Sequence, residues 1–88
     1  MRIWAKIWKE NHLLKDTVIE NTDPSLTRTK KVFAAVEEVC SAFDLSKPIW
    51  LESNIESFKK YSKTKFTQDS FMEPVEFDFL ELHVIEED

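Results

Sequence analysis

The chain has 88 residues, 42% of them hydrophobic and eleven aromatic, with a net charge of -5. That length makes one domain with one thin core, and that composition excludes an intrinsically disordered chain. It contains no glycine, which excludes Gly-rich phosphate loops, dinucleotide fingerprints and nucleophile elbows in their usual form, and leaves tight turns to Asn, Asp, Ser or Pro.

The charge is unevenly spread. Residues 1–68 hold all 12 basic groups and 9 of the 17 acidic ones; residues 69–88 hold the other 8 acids and no base. The acidic end must be solvated or matched with basic neighbours. The single cysteine, Cys40, and the lack of an apolar leader point to a reducing cytoplasm. No apolar run approaches the ~20 residues of a membrane helix, so no membrane partner is expected.

In chain order, Arg2–Lys9 alternates Ile3, Ala5, Ile7 against Trp4, Lys6, Trp8 and predicts a strand with apolar groups on both faces. Leu13–Glu20 predicts its hairpin partner. A three-residue loop at 10–12 sets Arg2 opposite Glu20, Lys6 opposite Asp16, Trp4 opposite Val18 and Trp8 opposite Leu14, whereas a two-residue loop at 10–11 sets Lys6 against Lys15. Charge matching selects the former, with Asn11 or His12 left-handed. One face of this hairpin (Ile3, Ala5, Ile7, Leu13, Thr17, Ile19) suits a helix. The other mixes Trp4, Trp8, Leu14 and Val18 with Arg2, Lys6, Asp16 and Glu20.

Leu26–Phe43 predicts the main helix, capped by Asn21, Thr22 or Asp23 with Pro24 at its first position. Its apolar stripe is Leu26, Thr29, Phe33, Val36, Cys40 and Phe43, widened by Val32 and Val39, with Arg28, Lys30 and Lys31 off the stripe. Phe33, Val36 and Cys40 are expected to be buried against Ile3, Ile7 and Phe77 or Phe79. Asp44–Lys47 reads as a turn and Pro48–Glu52 as a short third strand. A second helix is expected from Asn54 to about Ser62, with Ile55, Phe58 and Tyr61 inward. Lys63–Ser70 reads as irregular. Val75–Glu86 reads as the last strand, in which the alternation shifts at Phe79 and Leu80, so that either both faces are buried or a bulge resets the pleat. The expectation is an α+β single domain, order ββαβαβ, with a mixed or antiparallel sheet and the main helix on one face.

Residues that could carry chemistry each have a plainer reading. Cys40 with His12 or His83 could pair a nucleophile and a base, but its mid-helix place in the stripe suits a core residue. Asp78, Glu81 and His83 lack the further ligands a metal needs. Asp44, Asp69, Glu73 and Asp78 are the kind of carboxylate set that any acidic chain contains. No cofactor, metal or catalytic residue is therefore expected, and the chain reads as a non-enzymatic interaction module, a homodimer or a complex subunit. The expected partner surface is Trp4, Trp8, Leu14 and Val18. The alternative is a nucleic-acid-binding protein using the basic and aromatic run Lys59, Lys60, Tyr61, Lys63, Lys65 and Phe66. Repulsion from the acidic end disfavours that alternative. Attraction within one small body should instead place Lys59, Lys60 or Lys65 near Glu73, Glu76 or Asp78.

Overall fold

A computed structural model describes all of residues 1–88. The elements are β1 (Arg2–Lys9), β2 (His12–Glu20), α1 (Arg28–Phe43), α2 (Glu52–Tyr61), β3 (Lys63–Phe66), a 3₁₀ turn (Gln68–Ser70) and β4 (Phe79–Glu86). The strands form one antiparallel sheet in the order β2-β1-β4-β3. This is the expected α+β class with the order ββααββ rather than ββαβαβ.

The hairpin keeps the predicted pairs Arg2–Glu20, Trp4–Val18 and Lys6–Asp16, by a route not foreseen. Its loop has two residues, Glu10 and Asn11, both left-handed at φ 50° and 64°. A bulge then restores the register: Ile7 pairs with Lys15 and Trp8 with Leu13, leaving Leu14 unpaired. Leu13 thus lies opposite Trp8, while Leu14 moves to the other side, beside Ile7 and Phe43. Asp78 braces the turn, its Oδ2 accepting from the Glu10 amide at 2.8 Å while its own amide donates to the Trp8 carbonyl at 2.9 Å.

Helix α1 starts at the Thr27 cap, whose hydroxyl accepts from the Lys30 amide, and not at Asn21–Asp23. Asp23 closes a local turn onto Ser25 instead. The helix ends at a left-handed Asp44, φ 56°, in a place glycine often takes. Its buried face is Lys31, Val32, Ala35, Val36, Val39 and Cys40, rotated from the predicted stripe. Val36 and Cys40 are buried as expected, but Phe33 is 50% exposed. Ala35 is 1% and Ala5 0% exposed, so small side chains fill the core on helix and sheet, while Phe33 falls at its rim beside Trp50.

Pro48–Glu52 is not a strand. Residues 46–51 are an irregular connection that Trp50 anchors edge-on to Phe33, Phe58 and Phe66, with ring centroids 4.9–5.8 Å away. Leu51 precedes α2, and Asn54 acts from its third position, its Oδ1 accepting from the Leu51 amide at 3.0 Å. Phe58 is the apolar side chain that α2 buries; Ile55 and Tyr61 are exposed. The predicted irregular segment at 63–66 is the edge strand β3, with Thr64 and Phe66 inward and both lysines outward. The last strand starts at Phe79 rather than Val75. The alternation shift is therefore the boundary between the segment carrying Val75 and Phe77, partly buried at the core's edge, and the strand proper. Both helices cover the same sheet face. Ile3, Ala5, Ile7, Leu80, Leu82, Val84 and Phe66 point into one continuous core shared with α1 and with Phe58 of α2.

Candidate functional site

The opposite face of the sheet has no helix on it. Cross-strand register arranges its side chains as rows running β2, β1, β4, β3. The first row is Glu20, Arg2, Glu86; the second is Val18, Trp4, His83, Lys63. The third is Asp16, Lys6, Glu81, Lys65, and the fourth is Leu13, Trp8, Phe79. Trp4 and Trp8 lie on this face, both half-buried. Val18 is 43% exposed. Leu14 drops out of the predicted surface because the bulge turns it to the helix side, and Leu13 takes its place.

The aromatic groups are held in place by the charges around them. The Trp4 indole N–H donates to Asp16 Oδ2 at 2.9 Å, and Lys6 Nζ lies 3.8 Å from its ring centroid. The Trp8 indole N–H donates to Glu81 Oε1 at 3.1 Å, and the same carboxylate meets Lys6 Nζ at 3.4 Å. Phe79 packs 6.5 Å from Trp8, with Lys65 Nζ 4.7 Å from its ring centroid. Large rings already fixed by hydrogen bonds lose little freedom on being covered, which favours their use as anchors. Phe79, Glu81 and His83 join this surface only through pairing of β1 with β4. The matches Arg2–Glu86 and Lys6–Glu81 are the sequence signal for that pairing.

The face is electrically balanced. Arg2, Lys6, Lys63 and Lys65 oppose Asp16, Glu20, Glu81 and Glu86. The basic and aromatic run is divided: Lys63 and Lys65 lie on this face, Lys59, Lys60 and Tyr61 on α2, and Phe66 is completely buried. None of Lys59, Lys60, Lys63 or Lys65 makes an ion pair, and Lys60 lies over the Tyr61 ring. The acidic end pairs elsewhere. Glu86 meets Arg2 at 3.4 Å, Glu87 meets Arg28 at 3.1 Å through two parallel hydrogen bonds, and Asp88 meets Lys31 and the Met1 amino group. Of the expected neighbours, Lys65 and Asp78 border one shallow pocket beside Trp8 and Phe79 without forming an ion pair, while Lys59 and Lys60 pair with none of Glu73, Glu76 or Asp78; the bases of β1 and α1 take up the acids of β4 and its end. Lys31, expected in water, is 5% exposed for the same reason.

Other surfaces hold less chemistry. A cleft of about 370 Å³ at the end of the sheet lies between Leu14, Phe43 and the 71–77 segment, and contains neither His nor Cys. A groove of about 220 Å³ between the helices is lined by Phe33, Trp50, Ile55 and Phe58. Cys40 is buried, and desolvation raises its thiol pKa against a smaller lowering by Lys47. No three His, Cys, Asp or Glu side chains gather as a metal site, and of the four carboxylates that could have formed an acid–base pair only Asp44 and Glu73 share one cleft. Asp44 and Glu73 border the end cleft, Asp69 sits in the 3₁₀ turn, and Asp78 braces the hairpin. No helix is long and apolar enough to cross a membrane. No protein-family model matches the chain, and comparison with curated proteins and with solved structures finds no match either.

Proposed function

We propose that the protein is a non-enzymatic interaction module, acting in the cytoplasm as a homodimer or as a subunit of a complex, and that the uncovered sheet face is its binding surface. The observation that carries this is a whole face of the sheet without a helix, on which the half-buried Trp4, Trp8 and Phe79 lie among charged side chains whose signs cancel. Aromatic anchors set among charged groups of both signs suit a protein–protein interface. Balanced charge suits a protein partner better than a polyanion, which needs a basic surface. The nucleic-acid alternative retains Lys63 and Lys65 beside Phe79 but loses Phe66 as a stacking group.

The test compares the mass in solution of the wild type with Trp8→Glu and Val18→Lys, purified and in extracts of the native host, with circular dichroism to report folding. Both variants should be folded and lighter. Val18 is exposed, so its replacement leaves the fold intact even where Trp8→Glu does not. Folded variants of unchanged mass in both settings overturn the reading. Tight binding of a single-stranded oligonucleotide that weakens steeply with salt overturns it in favour of nucleic acid.

A further inference from the structure

We infer, building on that reading, that the partner on this face is a second copy of the chain, packed sheet on sheet about a two-fold axis parallel to the strands between β1 and β4. The charges choose both partner and axis. Taken strand by strand across the face, β2 carries Asp16 and Glu20, β1 carries Arg2 and Lys6, β4 carries Glu81 and Glu86, and β3 carries Lys63 and Lys65. The signs alternate: acidic, basic, acidic, basic. An axis along the strands sets β2 over the partner's β3 and β1 over the partner's β4, so every column meets its opposite. An axis across the strands sets each column over itself, so no column meets its opposite. Centred on the face, it puts Lys63 over Lys65 and leaves the other charges over Trp, Val, Leu, Phe or His side chains. Shifted to the second row, it puts Asp16 over Glu20 and Arg2 over Lys6. An isologous dimer requires a surface complementary to itself, and this one is so in a single orientation.

The same operation matches the side chains row by row. Asp16 faces Lys65, Lys6 faces Glu81, and Trp8 faces Phe79. Stacked sheets cross at ~30° and lie ~10 Å apart, so the row holding Lys6 and Glu81, near the axis, aligns best. With strands ~4.8 Å apart and ~3.3 Å per residue, the face projects about 450 Å² per copy. Side-chain relief brings the pair toward the ~1,200 Å² at the lower limit of specific interfaces, the size of weak, reversible assemblies rather than obligate ones.

Sedimentation of the purified chain over a concentration series, with thermal melts to confirm folding, tests this. Asp16→Lys and Lys65→Glu should each weaken dimerisation about tenfold or more at low salt, since each turns two attractive pairs into repulsive ones. The double variant should recover most of the loss. Asp16 and Lys65 lie on opposite edges of one sheet, so the recovery reports contact between copies. A purified wild type that remains monomeric at several hundred micromolar overturns the self-pairing. If Trp8→Glu nevertheless lowers the native mass in host extract, the interaction reading stands without it; if that mass is also unchanged, both fall. A dimer in which the double variant is no better than the singles overturns this axis.

Discussion

Phe33 and Phe66 show how little a residue's type says about its environment. Phe66 has no exposed surface and meets Trp50 edge-on at 4.9 Å. Phe33 meets the same indole at 5.8 Å from the rim of the inter-helix groove, half in water. A helical stripe through Phe33, Val36 and Cys40 fits the period equally well with or without Phe33, because a face wide enough to hold Val32, Val36 and Val39 leaves its centre undefined to within one residue. What resolves it is volume: the small Ala35 and Ala5 take places in the core, and Phe33 stays at its rim beside Trp50. Phe66→Ala should therefore cost ~3–5 kcal/mol in urea unfolding, and Phe33→Ala only about 1 kcal/mol, since half its surface never leaves water. Equal losses would return Phe33 to the core.

At the scale of elements, the legible parts were those whose pattern is local and long. Arg2–Lys9, Glu20 back to Asp16, and the body of α1 each carry enough alternation or periodicity to define themselves. The hairpin register was readable from charge, while its turn was not: the bulge at Leu14 restores the same pairs after a shorter loop, so charge matching alone cannot distinguish the two. Pro48–Glu52 has strand-forming side chains but makes one bond of a ladder, the Ile49 amide to the Ser70 carbonyl at 2.7 Å. Lys63–Phe66 is too short to display a period, and its lysines are those of a protected edge. What joins α2 to β3 is a buried amide. Asn54 Nδ2 donates to Thr64 Oγ1 and the Lys65 carbonyl, both at 2.9 Å, while its Oδ1 accepts from Leu51 and, at 3.3 Å, from Ser70. Removing it leaves several buried groups unpaired, so Asn54→Ala should lose ~2–4 kcal/mol by chemical denaturation. A loss under 1 kcal/mol would show that water replaces the amide and that α2 is held by Phe58 alone.

For the whole molecule, the acidic end works as a clasp. Strand β4 is central, so residues 86–88 emerge beside β1 and the start of α1, where Arg2, Arg28 and Lys31 stand. The sequence shows the charge asymmetry but offers Lys59–Lys65 as the nearest partner along the chain; only the position of β4 between β1 and β3 redirects the acids. The Arg28 guanidinium holds Glu87 below its ordinary value of 4.5, and Lys31, with the Met1 amino group, holds Asp88 below 3.8. Depressed carboxylate pKa values mean that the folded state binds protons less readily than the unfolded one. Their contribution is therefore complete above about pH 5 and lost as the pH falls through the folded-state values. These groups are largely solvated, so the effect is small and screened by salt. The expected outcome is a melting temperature that falls between pH 5 and pH 3 in low salt. The fall should be shallower in Glu87→Gln/Asp88→Asn, and the wild type should approach that variant in ~1 M salt. Acid limbs that superimpose at low salt would mean that the end is solvated rather than clasped. If so, Lys31 would be a buried cation without a partner, an arrangement costly enough that Lys31→Met should then stabilise the fold.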